Sequence, residues 1–518
     1  MGTTTTLTPT PTPASKLDSF KNYFEEHGAI AIALVCVLYV AIRLHFLTRY
    51  SLWVDEVFSV TAAHARWREL WIQVIDDRVH PPLYYALLKI WITIFGRSIT
   101  AARMLSVTCS ILTFKPLLSL TKLLRLSTSV SLLVLVVIAV NPFLIFYSQE
   151  VRMYSLLVLL SLLFLNAHLQ VREAATPSRL AYWSALTSLL VLTHVAGVAV
   201  VGFAILHFSL TCSKQRSRLY LAATPPALLF VSWIAIVATH QQHATDVIAN
   251  VAWISKPGFQ GLLAGWGHLL GGKEFAIVLL TVVLFCLASG SKRGKNLAEE
   301  YLLAVLSLGT VAGLFAFSAL VHPVWHPRYL ICCVVPFYLL LGLSLEGMAA
   351  ETKRFWVIVV LVWALLTLKH DFVHEADRPN FTQMISLVSS GDIKALPIFA
   401  SNDVIGGSLQ YALNLEASGQ LVPVLKSVAP FVDRPTAYSV GQRAHLPDQA
   451  LSVAPRDFFF AYDDLTGSDQ HPSEKEIAPT DLESAGCLTT PLATMRGVGQ
   501  TFVLFDVRCG AELTKIGD

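Results

Sequence analysis

Asp55 and Glu56 form a carboxylate pair just beyond the first long apolar run, in the segment Arg49-Tyr50-Ser51-Leu52-Trp53-Val54-Asp55-Glu56. Trp53 and Phe58 flank the pair. A solvated surface acid has little need of aromatic neighbours, whereas a carboxylate working on a lipid-borne substrate at the membrane boundary does. Two arginines supply the complementary chemistry. Arg152 follows Ser148-Gln149-Glu150-Val151, and Arg328 ends His322-Pro323-Val324-Trp325-His326-Pro327-Arg328. A guanidinium is a planar fork of donors that matches phosphate oxygens, and a carboxylate can take the proton of an incoming hydroxyl. Together they are what transfer from a lipid phosphate to an alcohol requires. In glycosyl transfer the anomeric carbon becomes oxocarbenium-like while the departing oxygen gains charge, which preorganised arginines stabilise. With phosphate as the leaving group, one base, Asp55, suffices.

Other polar groups recur near the same depth. His80-Pro81-Pro82 precedes a short apolar helix, His194 ends a span, and His326 and Tyr329 bracket Arg328. Arg103 and Lys89 are weaker candidates for phosphate contact. Plainer readings stand beside these. Proline suits a first helical turn, arginines near span ends snorkel to headgroups, and His194 and His326 can be packed or interfacial histidines. Glu150 reads best as an ion-pair partner of Arg152. Glu56, Asp76, Asp77 and His80 lie close enough in sequence to raise a possible divalent cation, a weak signal. No Cys-x-x-Cys or Cys/His zinc spacing occurs.

These groups need a scaffold, and composition names it. The 518 residues are 54% hydrophobic and 14% charged, against about 25% charged in a soluble domain. Repeated apolar runs near 20 residues predict a polytopic helical membrane protein. The expected spans, about eleven, are 28–47, 100–123, 128–147, 153–170, 179–194, 196–212, 219–239, 273–289, 299–321, 328–348 and 355–372. Pro82–Phe95 is too short to cross and is expected to be re-entrant or interfacial, as are the amphipathic stretch Trp67–Ile75 and Gly261–Gly271. The basic groups Lys122/Arg125, Arg172/Arg179, Lys214/Arg216/Arg218, Lys292/Arg293/Lys295 and Lys353/Arg354 occupy alternate loops. The positive-inside rule makes those loops cytoplasmic, so the polar motifs share the outer face. The net charge of +3 carries no concentrated basic domain of the kind nucleic acid needs.

Residues 1–27 are expected to form a disordered cytoplasmic tail, opening on a Thr/Pro-rich stretch. Beyond about residue 373 the chain turns polar, and 373–518 is expected to be an extracytoplasmic α/β domain. Its strand candidates are Leu396–Ala400, Asp457–Tyr462 and Thr501–Val507; its helix candidates are Phe381–Ser389 and Gly407–Leu415. Six of the eight cysteines fall in apolar runs and read as packing residues. Cys487 and Cys509 lie in the tail, where a disulfide between them is as easily formed as not; spacing does not decide it.

At these residues the chain resembles the GT-C superfamily of membrane glycosyltransferases, in the branch of protein O-mannosyltransferases, aminoarabinose transferases and RgtA/B/C/D-like bacterial enzymes. The matching pieces are Leu52-Trp53-Val54-Asp55-Glu56, His80-Pro81-Pro82-Leu83-Tyr84-Tyr85, Ala102-Arg103, Tyr147-Ser148-Gln149-Glu150-Val151-Arg152-Met153-Tyr154, Thr193-His194 and Pro327-Arg328-Tyr329. They cover roughly residues 28–372. The resemblance implies a polyprenyl-phosphate sugar donor, inversion at the anomeric carbon and a catalytic aspartate at Asp55, with Glu56 supporting the site or the acceptor. It sets Arg152 and Arg328 against the donor phosphate and makes His80, Arg103, Glu150, His194, His326 and Tyr329 candidate substrate contacts. His194 departs from the relatives' Thr-His-Tyr pattern, because Val195 follows it. The tail carries no recognisable MIR-type module, which favours a bacterial inner-membrane enzyme acting on a glycan, lipid or protein acceptor. The alternative is a transporter or flippase of lipid-linked sugars, which would place ionisable groups along a path through the midplane.

Overall fold

The computed structural model describes residues 13–45, 47, 52–212, 215–240, 254, 256–289, 297–373, 398–400, 424–425, 457–464, 479–484, 486–497 and 500–509. It is a helical bundle with a small sheet in the C-terminal part. The helices are α1 (Pro13–Leu44), α2 (Val54–His64), α3 (Trp67–Asp77), α4 (Leu83–Phe95), α5 (Ile99–Leu112), α6 (Phe114–Leu123), α7 (Thr128–Val140), α8 (Pro142–Ser148) and α9 (Tyr154–Glu173). They continue with α10 (Pro177–Val191), α11 (Val195–Thr211), α12 (Arg216–Thr239), α13 (Phe259–Leu270), α14 (Lys273–Ser289), α15 (Leu297–Ala304), α16 (Thr310–Leu320), α17 (Ile331–Glu346) and α18 (Ala350–Val373). A π-helical turn, Val305–Gly309, joins α15 to α16, and a 3₁₀ turn, Pro327–Leu330, leads into α17.

Each of the expected spans coincides with a helix or helix pair. Among the described residues, five helical stretches are long and apolar enough to cross a membrane alone: Ile99–Leu123, Tyr154–Glu173, Arg216–Thr239, Leu297–Leu320 and Pro327–Glu346. Two bent pairs raise this to seven. In the first, α7 and α8 meet at 54°. Asn141 ends α7 and caps α8, its Oδ1 accepting the Leu144 N–H at 2.9 Å; Pro142 at the first helical position cannot donate to the turn before it. In the second, α13 stands at 90° to α14, so Gly261–Gly271 belongs to a helix lying across its neighbour's direction. α9 and α17 are the most enclosed spans and anchor the core. Their buried residues are mostly apolar, with a few polar ones such as Ser161, Asn166, His168 and Ser344, as befits helices surrounded by other helices.

The break between α7 and α8 is secured from α1. Arg43 is fully buried there. Its Nη1 donates to the Ala139 carbonyl at 3.1 Å and its Nε to Ser110 Oγ at 2.7 Å, while the guanidinium stacks 3.3 Å over Tyr39. A cation against the last carbonyls of a helix satisfies groups that have no intrahelical partner. Gln149 Nε2 donates to the carbonyls of Arg43 at 3.1 Å and His45 at 2.6 Å, tying the segment after α8 to the end of α1.

The first helix differs from expectation: it begins at Pro13, so the tail expected to be disordered through residue 27 is helical over its second half. Proline at the first position, with Ala14, Lys16 and Leu17 after it, suits helix initiation. In the C-terminal part, strands β1 (Ile398–Ala400), β2 (Val424–Leu425), β3 (Asp457–Asp464), β4 (Cys487–Gly497) and β5 (Gln500–Cys509), with helix α19 (Pro479–Ser484), form a sheet ordered β2-β1-β3-β5-β4. β1 runs parallel to β2 and β3, and β5 antiparallel to β3 and β4. The three expected strands are present, while Phe381–Ser389 and Gly407–Leu415 lie outside the described residues. Cys487 is disulfide-bonded, and the β4–β5 register sets Cys509 directly opposite it.

Candidate active site

Helix α2 begins right after Trp53, and its first turn carries Asp55 and Glu56, where carboxylates favour the positive helix end. Successive helical residues point about 100° apart, so the two acids part company. Asp55 keeps a quarter of its side chain accessible. Its Oδ2 accepts from Arg328 Nη1 at 2.8 Å and lies 4.0 Å from Arg152 Nε.

Glu56 turns the other way and is fully buried. Arg103 on α5 grips it in a two-pronged pair, Nε to Oε1 at 3.1 Å and Nη2 to Oε2 at 3.0 Å. The Val151 N–H donates to Oε1 at 2.9 Å and Arg103 Nη1 to the Leu47 carbonyl at 2.8 Å. One closed unit therefore pins the start of α2, α5 and the α8–α9 connection together. Glu56, expected to support the site or the acceptor, and Arg103, expected as a substrate contact, are thus bonded to each other. Lys89, too, turns from any phosphate, donating to the carbonyls of Ala63 and Ala65 at the end of α2.

Arg152 is held from several sides. Nη1 donates to the Asp55 carbonyl at 3.3 Å, Ser59 Oγ at 3.4 Å and Tyr85 Oη at 3.3 Å. Nη2 meets His80 Nε2 at 3.1 Å. Since a guanidinium only donates, His80 Nε2 is the acceptor and its proton sits on Nδ1, which donates to Asp77 Oδ2 at 2.7 Å. Burial and the Arg152 charge together hold His80 below its usual pKa against the pull of Asp77, so the ring is neutral. Asp77 ends α3, and Arg78 after it takes a left-handed conformation, φ 56°, turning the chain so that the His80 N–H also reaches Asp77 Oδ2 at 3.2 Å. His80 is thereby an orienting group for Arg152. Asp55 is the carboxylate partner of Arg152, in place of the expected Glu150, whose Oε1 accepts the Trp53 indole N–H at 2.6 Å.

The remaining candidates complete a ring of aromatics. The Leu83 N–H bonds to the Leu192 carbonyl at 3.1 Å, joining α4 to the connection before His194. The His80 and His194 rings lie 5.7 Å apart, His194 and Tyr329 5.8 Å, and Tyr329 and His326 5.9 Å. His194 caps α11, its Nδ1 accepting the Ala196 N–H at 3.0 Å, and His326 caps the 3₁₀ turn through the Arg328 N–H at 3.4 Å. Burial and nearby cations keep both rings neutral: His194 lies well below its usual range, and His326 is brought down to about 3. Trp325, three residues before Arg328, donates its Nε1–H to the Gly261 carbonyl at 3.2 Å, and its ring fills the notch left by Gly265. A Cβ there would come within 2.5 Å of Trp325 Cζ2.

Electrostatically the site is cation-rich around one acid. Burial pushes Asp55 up, but Arg152 and Arg328, then His80 and His326, together hold it below the usual carboxylate value. Asp55 is ionised at neutral pH and faces two guanidinium groups, a pairing suited to proton abstraction beside a phosphate. Among the described residues, no three His, Cys, Asp or Glu side chains gather as a metal site. The expected candidates thus form one connected network, with Glu56, Arg103 and Glu150 in its supporting layer. Sequence reading passed over Asp77 as an orienting group and Tyr154 as part of the ring cluster; the Asp77-x-x-His80 spacing was the available signal for the first.

The fold is shared by two solved structures: ArnT from Cupriavidus metallidurans in the apo state, and the same protein bound to undecaprenyl phosphate. The first superposes with a TM-score of 0.55 at 11% identity and the second with 0.53 at 12%; each match covers 92% of this chain and 97% of that chain. No family model matches the sequence, and no curated protein does.

Proposed function

We propose that the protein is a GT-C glycosyltransferase that moves a monosaccharide from a polyprenyl-phosphate donor to an acceptor hydroxyl, with inversion. The observation that carries this is the Asp55 carboxylate set between Arg328 at 2.8 Å and Arg152 at 4.0 Å. Asp55 takes the acceptor's proton as its oxygen attacks the anomeric carbon. The two guanidinium groups hold the departing phosphate, where negative charge accumulates. A single displacement with one base inverts the carbon. The Glu56–Arg103 pair and the Asp77–His80 pair fix the base and one arginine in place. Undecaprenyl phosphate in an ArnT structure of the same fold supports a polyprenyl phosphate as the lipid.

Residues 28–372 form the catalytic membrane domain, and 373–518 lie on the extracytoplasmic side of a bacterial inner membrane together with the site. The bonded Cys487 supports this side, because disulfides persist in oxidising compartments.

Purified wild type and Asp55→Asn, supplied with labelled polyprenyl-phosphate sugars and extracted envelope acceptors, test the reading. Wild type is expected to transfer label and the variant to bind donor without transfer. Label carried across a vesicle membrane with no new glycoside would identify a flippase, and equal turnover by both proteins would remove Asp55 from the chemistry.

A further inference from the structure

Two fully buried hydrogen-bond donors beside the arginines have no partner. Tyr154, the first residue of α9, has no accessible surface, and its hydroxyl is unpaired. Its ring packs edge-on against Tyr147 at 4.7 Å and tilts over His194 at 6.0 Å. Its hydroxyl lies within electrostatic reach of Arg328, Arg152 and Asp55. His194 is likewise fully buried, and its Nε2 is unpaired. Because its Nδ1 already accepts the Ala196 N–H, the neutral ring carries its proton on Nε2 and can only donate there. A buried polar group left unsatisfied costs roughly 1–3 kcal/mol, so a pair of them side by side marks a place where something else accepts.

We propose that Tyr154 Oη–H and His194 Nε2–H are two neutral donors to the departing phosphate, completing the oxyanion site begun by Arg152 and Arg328. This rests on the glycosyl-transfer reading and adds Tyr154 to the residues that touch substrate. Asp55 is the acceptor that serves an incoming alcohol, and Glu150 also acts on Tyr154, whereas Tyr154 Oη, His194 Nε2 and both guanidiniums offer donors. The reaction supplies the need. The bond between the anomeric carbon and the phosphate oxygen breaks, with its electron pair going to that oxygen. The acceptor oxygen bonds to the carbon, and its proton passes to Asp55. The phosphate thereby changes from a monoanionic diester to a dianionic monoester, so donors beside the leaving oxygen bind the product end of the reaction more tightly than the start. Neutral donors suit this place: a third and fourth cation would hold the product too firmly to release it.

The test compares two probes that need no knowledge of the sugar: polyprenyl phosphate and its methyl phosphodiester. Binding to the full-length protein in nanodiscs is measured at pH 8, above the second phosphate pKa of about 6. The variants are Tyr154→Phe, which removes one hydroxyl, and His194→Ser, whose short hydroxyl keeps the helix cap. A hydrogen bond to a charged group is worth about 1.5–3 kcal/mol. Each variant is therefore expected to lose roughly 10- to 100-fold in affinity for the dianionic polyprenyl phosphate and distinctly less for the monoanionic diester. Unchanged affinity for the phosphate, or equal loss on both lipids, overturns the inference while leaving the glycosyl-transfer reading in place. Wild type binding neither lipid would remove that reading and the inference with it. Should Tyr154→Phe fail to fold, the ratio for His194→Ser decides by the same criterion.

Discussion

Arg328 and Asp55 stand 273 positions apart and meet at 2.8 Å, Nη1 to Oδ2. The contact helps to lower the proton affinity of Asp55, the proposed base. Burial alone would raise the Asp55 carboxyl; Arg152 and Arg328 reverse that. A carboxylate whose folded-state pKa is lowered stays ionised, and contributes stability, down through its unfolded value near 3.9. Transfer by wild type is therefore expected to hold level from neutrality to about pH 5, with its acid limb below the ordinary carboxylate range. In Arg328→Ala the limb should move upward, because one of the two lowering cations is gone. A pH–rate profile with the limb unmoved or shifted down would break the link between these residues.

Removing the base itself is expected to cost about 10²–10⁴-fold in turnover, the usual contribution of a positioned acid–base group. Asp55→Asn should bind donor normally, which equilibrium binding of the labelled lipid will check.

Glu56→Gln and Arg103→Ala should behave differently. Breaking one side of a buried ion pair costs about 3–5 kcal/mol, because it strands the other charge. Both variants are expected to lose thermal stability in detergent and activity together. A variant with a wild-type melting temperature and no transfer would return Glu56 to the catalytic step.

Asp77→Ala frees the His80 ring to protonate at either nitrogen and deprives Arg152 Nη2 of its acceptor. Donor KM is expected to rise about 10-fold, in line with loss of a hydrogen bond near 1.5 kcal/mol, with kcat within a few-fold. Asp77→Asn keeps an oxygen for the Nδ1–H and should restore KM. Steady-state kinetics on the two variants separates this from a general loss of fold.

Cys487→Ser should destabilise the C-terminal sheet by about 2–5 kcal/mol, the usual cost of losing a native disulfide, and leave the helical bundle folded. Limited proteolysis is expected to remove residues beyond about 373 while the membrane part survives.

Much of this was legible in the chain. Apolar runs announce spans by length and composition, and each expected span meets a helix. Asp55, Arg152 and Arg328 stood out because they fall on the side that the alternating basic loops leave poor in cations. The division of labour between Asp55 and Glu56 was not legible: adjacent helical residues face different ways, and only packing decides which faces inward. The pairing of Glu56 with Arg103, 47 positions away, is a tertiary fact, as is the seat of Arg43 against the end of α7. His80 showed its type but not its partners, since the tautomer follows from an arginine 72 positions on. The helical start at Pro13 was hidden by a Thr/Pro-rich stretch that drew the boundary too late.

The notch at Gly265 reaches further than its size. Trp325 occupies the space that a side chain at position 265 would fill, and Arg328 stands three residues further along the chain. A single methyl group on α13, remote in sequence from every reacting atom, would act as a wedge on the leaving-group cradle. For the proposed transfer, the shape of the crosswise helix would thus bear on rate without touching a reacting atom.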